Sequence, residues 1–206
     1  GVESWDFTEI GNLSLHTRFR SVRASAGGSN WSVGVGVGLP TGSSRVRNAE
    51  GRLAEPSLQP GSGAFSLLLD ARYRVHLQLP MSAEQLSVWT FSSTLRMNTR
   101  NERGYLFGNE WRSHTGIHHS LHRLPLDLLG QIVVRWRGRD DAGRTDELVD
   151  ATGGTEIYLS PGLKLKLDGG LTACGYYQIP LYQYVNEVQL TADSNIVMGL
   201  EYSLSL

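Results

Sequence analysis

Four histidines crowd one stretch of the chain, His114, His118, His119 and His122. On a helix, His114 and His118 would stand one turn apart and could share a metal ion. Their segment, Trp111-Arg-Ser-His-Thr-Gly-Ile-His-His, lacks helical periodicity. On a strand, positions four apart lie ~13 Å from each other, too far for one ion. His118 and His119 then point to opposite faces. A metal here would need a cross-strand ligand such as His76, and no metal or cofactor is expected. Covalent catalysis needs a nucleophile and a base within hydrogen-bond reach. His119 shares a face with Ser113 and Thr115, but along one strand they are ~13–20 Å apart. Only a residue on a neighbouring strand could complete such a pair, so no catalytic residue is assigned and the chain is not expected to be an enzyme.

A second set of charged residues recurs at alternate positions. It comprises Arg18, Arg20, Asp70, Arg72, Arg74, Arg96, Glu110, Arg112, Arg135, Arg137, Glu156, Lys164, Lys166 and Glu201, ten basic groups against four acidic ones. A wall of that balance raises the local concentration of anions and lowers that of cations. The single cysteine, Cys174, shares its face with Thr172 and Tyr176, has no intrachain partner and reads as a small buried residue. Loop 139–154 carries Asp140, Asp141, Asp146, Glu147 and Asp150 beside Arg139 and Arg144. It is either a site for divalent cations at a lipopolysaccharide surface or a solvated loop.

The elements that carry these residues alternate strictly between apolar and polar. In Trp31-Ser-Val-Gly-Val-Gly-Val-Gly-Leu39 one face is wholly apolar and the other nearly bare. The same period predicts nine strands, at 12–23, 30–40, 64–78, 85–97, 104–121, 129–138, 155–167, 170–181 and 195–206. Most are as long as the ~9–11 residues that cross a bilayer at a tilt. Pro161 and Pro180 fall within strand patterns, where each removes a ladder donor, and mark bulges or rims. Long connections (41–63, 139–154, 182–194) alternate with short ones (79–84, 122–128, 168–169), as in a meander through a membrane.

Two readings compete for the apolar face: a core or ligand cavity in a soluble sandwich or lipocalin-like barrel, or a lipid-facing surface. Composition favours lipid. Glycine is 24 of 206 residues, against a usual ~7%, and glycine weakens an ordinary strand. Of 19 basic residues only Lys164 and Lys166 are lysine, unlike the Lys/Glu mixture of a soluble surface. Trp31, Tyr105, Phe107, Trp111, Trp136, Tyr177 and Tyr202 fall on the apolar face, as a headgroup-level aromatic girdle requires. A formal net charge of −1 argues against nucleic acid as partner, and no apolar run is long enough for a transmembrane helix.

Gly-Leu-Pro-Thr-Gly at 38–42 and Leu-Gln-Pro-Gly-Ser-Gly-Ala-Phe at 58–65, with Tyr-Leu-Ser-Pro-Gly-Leu at 158–163, Gln-Ile-Pro-Leu-Tyr-Gln-Tyr-Val-Asn at 178–186 and Gln-Leu at 189–190, resemble an outer-membrane transporter family. That family is named for the meta pathway of phenol degradation. The resemblance spans roughly 12–206; its motifs are structural rather than catalytic, and it implies a transporter.

The expectation is an all-β chain, one transmembrane antiparallel up-and-down β-barrel domain over 1–206. Bacterial single-chain barrels have even strand numbers, so one to three strands are expected upstream, for about ten to twelve in all; segment 2–10 is barely long enough to supply one. The barrel is placed in the outer membrane of a Gram-negative bacterium, with loops 41–63, 139–154 and 182–194 outside and turns 79–84 and 168–169 and the C-terminus periplasmic. Its partners are then outer-membrane lipid, lipopolysaccharide and a small-molecule solute. As a channel or transporter it would take small anions, aromatic acids among them, with the charged set lining the lumen. The alternative is a structural barrel whose lumen is closed by Arg–carboxylate pairs, a scaffold subunit of an envelope complex.

Overall fold

The computed structural model of the chain describes residues 8–21, 28–77, 87–121, 124–143, 149–187, 189, 191 and 193–203. Nine strands form one sheet in chain order: β1 (Leu13–Arg20), β2 (Ser29–Leu39), β3 (Ser66–Leu77), β4 (Ser87–Asn98), β5 (Glu110–Leu121), β6 (Leu126–Arg137), β7 (Gly154–Lys166), β8 (Leu171–Val185) and β9 (Asn195–Tyr202). Every neighbouring pair is antiparallel. This up-and-down order puts the strand ends that flank connections 40–65, 99–109, 138–153 and 186–194 at one end of the sheet and those that flank 21–28, 78–86, 122–125 and 167–170 at the other. Among the described residues β1 and β9 are the two edges and do not pair, so the sheet is open.

Four sequence expectations need correction. β5 begins at Glu110, not at 104. Gly104 takes φ 85° there, residues 104–109 stay outside the strand and Leu106 bridges to Asp141; Tyr105 is buried and stacks edge-on against Phe107 at 4.9 Å instead of joining a girdle. β6 begins at Leu126 rather than 129, which draws Asp127 out of the expected turn and into the sheet. β8 runs on to Val185, shortening the loop expected at 182–194. Both prolines sit at irregularities of the β7–β8 ladder: Pro180 abuts the register shift at Ile157/Tyr158, while Pro161 lies mid-strand where the ladder skips Ser160 and Pro161. Residues 2–7, 24–27 of turn 24–29, all of turn 79–84, His122, Arg144, Asp146, Glu147 and 204–206 lie outside the described residues.

Burial is inverted relative to a water-soluble sheet. The buried hydrophobic residues described are Ala54, Ala64, Val88, Tyr105, Val133 and Tyr158. None belongs to the apolar face of a strand. That face, from Leu15 and Val35 through Leu69, Trp111 and Leu163 to Met198 (82% exposed) and Leu200 (76%), is open. The residues that are buried include Asp70, Asp127, Asp140, Ser160 and Gln178. A soluble fold hides apolar surface at ~25 cal/mol per Å²; here that surface meets little protein among the described residues.

Candidate functional site

The polar face is built by register. Arg18, Gly34, Asp70, Thr94, Arg112, Arg135, Glu156 and Gln183 stand opposite one another in turn from β1 to β8. Directly opposed residues share a face, so this row is continuous. All the charged positions singled out in the sequence fall on that face.

Charge is organised around three buried carboxylates. Asp70 Oδ1 accepts from Arg18 Nε at 3.0 Å and lies 3.7 Å from Arg72 Nε, while Oδ2 meets His16 Nε2 at 2.6 Å. These side chains meet across β2 because β2 is bare there. A Cβ on Gly34 would stand 2.0 Å from Asp70 Oδ2, and one on Gly36 would stand 2.7 Å from the Leu15 carbonyl oxygen. The glycine run is thus a trench spanned by its neighbours' charged side chains. Asp127, 1% exposed, accepts from Lys166 Nζ at 3.0 Å and meets His118 Nε2 at 2.7 Å. Asp140, just beyond β6, accepts from the Tyr105 hydroxyl (2.7 Å), the Gly108 amide (2.8 Å) and Arg137 Nη2 (2.9 Å).

The remaining pairs are looser: Lys164–Glu201 at 3.4 Å, Arg135–Glu156 at 3.9 Å and Arg96–Glu110 at 4.0 Å. Arg135 also donates to Gln178 Oε1 at 3.2 Å and lies 5.2 Å from the Tyr158 ring centre, a cation–π contact. Cys174 is half-buried on this face, between Lys164 and Gly199.

Among the described residues, cavities open at both ends of the face. The first, about 770 Å³, lies toward the long connections and is lined by Glu110, Arg112, Arg135, Arg137, Asp140 and Glu156. Its wall also includes Glu55, Pro56 and Ser57 from connection 40–65. That connection is folded: Gln59 accepts from the Val46 amide at 2.9 Å and donates to the Ala54 carbonyl at 2.8 Å. Gly61 packs on Gly42 where a Cβ would stand 2.3 Å from the Gly42 oxygen. Arg45–Glu102 (2.7 Å) and Asn101 Nδ2 to the Ser62 carbonyl (3.1 Å) tie it to connection 99–109. The second cavity, about 690 Å³, lies toward the short connections around Arg20, Arg72, Arg74, Ser92 and His114.

Two of the acids of loop 139–154 that the structure describes, Asp140 and Asp141, have protein partners. Asp140 is held as above, and Asp141 pairs with Arg100. The Arg100 guanidinium, helped by the Gly143 amide, holds the Asp141 carboxyl below the ordinary carboxylate range. Among the described residues no three His, Cys, Asp or Glu side chains come together as a metal site. His76 Nδ1 instead meets the Gly28 carbonyl oxygen at 3.2 Å.

On the apolar face, polar groups pair with one another across β4 and β5. Trp89 Nε1 donates to Thr115 Oγ1 at 2.9 Å and Trp111 Nε1 to Ser93 Oγ at 2.8 Å. Ser87 Oγ lies 2.8 Å from His119 Nδ1, the cross-strand partner that reading along one strand misses. The Ser87 side chain is fully buried. Aromatics cluster toward both ends of this face, with Trp31, Tyr73, Trp89 and Phe91 near the short connections and Trp111, Trp136 and Tyr184 near the long ones.

No model of a known protein family matches the chain, and no curated protein matches it.

Proposed function

We propose that the sheet is the wall of an outer-membrane β-barrel, with its apolar face in lipid and its arginine-rich face around a lumen that passes small anionic solutes. The observation that carries this reading is the inverted burial: aliphatic side chains stand open along β1–β9 while carboxylates are buried on the opposite face. In lipid the apolar surface is satisfied and the polar side encloses water. The internal pairing of Trp89, Trp111 and His119 supports the reading, because a polar group facing hydrocarbon needs a protein partner. So do the two aromatic clusters, which suit the two headgroup levels. The reading requires the β1 and β9 edges to be paired in the membrane, giving ten or twelve strands, since unpaired backbone in hydrocarbon costs several kcal/mol per group. The resemblance of 158–163 and 178–186 to the phenol meta-pathway transporters agrees with transport.

A second reading keeps the barrel and removes the transport. It draws on the shared hold of Asp70, Asp127 and Asp140 on their basic partners, and on Glu55–Ser57 lying along the first cavity. A lumen filled this way would make a scaffold of an envelope complex. Planar-bilayer recording separates the two. The channel reading expects ohmic single-channel steps and a reversal potential favouring anions. Electrical silence at high protein load would reject it and leave the scaffold.

A further inference from the structure

We propose that the short-connection end of the polar face holds a binding subsite for a compact dianionic oxyanion, a free phosphate or the phosphate of a monoester, held by Arg20, Arg72 and Arg74. The subsite rests on the lumen reading only for how its ligand arrives; binding itself needs no conduction.

Register brings the three arginines together. Arg20 stands opposite Ser32, and Ser32 opposite Arg72, which puts Arg20 and Arg72 two strands apart, about 10 Å between Cα atoms. Arg74 follows two positions beyond Arg72 on the same face, about 7 Å along β3. The strands flanking β3 carry small side chains at these levels: Ser32 and Asn30 on β2, Ser92 and Thr90 on β4. Long guanidinium side chains therefore have room to converge over them, and all three line the same cavity of about 690 Å³.

Charge separates this cavity from the rest of the face. Around Asp70, Asp127 and Asp140 each cation meets a carboxylate. No Asp or Glu lines the second cavity among the described residues. Asp70, outside the lining, holds His16 and Arg18 at 2.6 and 3.0 Å and pairs more loosely with Arg72 at 3.7 Å. Arg20 and Arg74 have no carboxylate within ion-pair distance among the described residues.

Three like charges in one pocket repel and are relieved most by a ligand carrying two negative charges on one small group. A guanidinium donates paired N–H groups to paired oxygens. A planar monocarboxylate has oxygens for two such forks at most, whereas a tetrahedral oxyanion can face three. Ser92 and His114, 3.0 Å apart, add polar groups at the edge. The volume exceeds that of phosphate alone and leaves space for the organic part of a monoester.

The test is equilibrium binding by isothermal titration to the full chain refolded in detergent and, separately, in lipid vesicles. The probes are inorganic phosphate and phenyl phosphate, with chloride and benzoate as monoanion controls. At least one phosphate probe should bind about tenfold more tightly than benzoate. Arg74→Gln or Arg20→Gln should weaken it about tenfold, with Arg45→Gln, in connection 40–65, leaving it unchanged. Tighter binding of inorganic phosphate assigns the site to the free ion, and tighter binding of phenyl phosphate to a monoester; either order supports the subsite. Folding of each variant is checked by circular dichroism, and two arginine variants keep the test open if one fails to fold. Equal affinity for benzoate and both phosphate probes, or unchanged phosphate affinity in both folded variants, overturns the proposal. A silent bilayer with phosphate bound would remove the channel and leave the subsite, and conduction without phosphate binding would do the reverse.

Discussion

Arg18 on β1 donates its Nε–H to Asp70 on β3 at 3.0 Å, directly across Gly34 of the intervening strand. The contact exists because β2 offers no side chain at that level. Glycine in a strand costs roughly 0.5–1 kcal/mol relative to alanine; here it is offset by the ion pairs of a buried carboxylate. Gly34→Val should therefore destabilise the protein despite raising strand propensity. The expected loss is about 2 kcal/mol, from a displaced charge-assisted hydrogen bond and a steric clash. Gly130→Ala is the control, because a Cβ there meets nothing within 4 Å. Urea titration in detergent, followed by tryptophan fluorescence, measures both. Equal midpoints for the two variants would show that the trench has no role.

The apolar face makes the opposite demand. Val35, Leu69 and Leu95 stand in one row across β2–β4. Leu69→Arg should cost ~2–4 kcal/mol of stability in a bilayer, as for a cation near mid-membrane. Leu68→Arg, one residue along on the polar face beside Arg96, should cost much less. Reversible unfolding from lipid vesicles tests the pair, and similar costs would mean that the two faces do not differ in their surroundings.

Much of this arrangement is legible in the chain, because side-chain alternation is local: all nine strands and the face of most charged residues follow from period-two patterning. Partners are less legible. His16, Arg18 and Asp70 are brought together by the β1–β2–β3 register, and Ser87 and His119 by that of β4–β5; neither register can be read from one strand alone. Asp127 escapes because Leu129 and Val133 interrupt the polar side of β6 and disguise where that strand begins. Tyr105 continues an alternating pattern, but Asp140 captures its hydroxyl and the nearby Gly108 amide and bends the chain out of the sheet.

That capture can be tested by itself. Asp140 ties connection 99–109 to connection 138–153 through Tyr105, Gly108 and Arg137. Asp140→Ala leaves three donors without their acceptor, and about 2–3 kcal/mol of local stability should go with it. Hydrogen exchange at the Gly108 amide should accelerate by roughly the corresponding tens- to hundred-fold, with the amides of β2 and β3 unaffected. Unchanged exchange at Gly108 would show that the loops are held by something else.

The longer connections join the strands at one end of the sheet, and the barrel reading proposes that this end is outside. If that end is extracellular, a cysteine placed at Ser44 in a Cys174→Ser background should react with an impermeant maleimide on intact cells, and one at Gly169 should not. The reverse pattern would invert the topology.

The central claim, that the odd-numbered face of β3 meets lipid and the even-numbered face does not, is tested most directly by spin-label scanning. Nitroxides at each position of 67–75 in lipid vesicles would be read for collision with oxygen, which concentrates in hydrocarbon, and with a water-soluble nickel chelate. Oxygen accessibility should peak at Leu67, Leu69, Ala71, Tyr73 and Val75 and fall at Leu68, Asp70, Arg72 and Arg74, following register even where Leu68 breaks the hydropathy pattern. Loss of the two-residue period, or an oxygen maximum on the Asp70 face, would contradict the account.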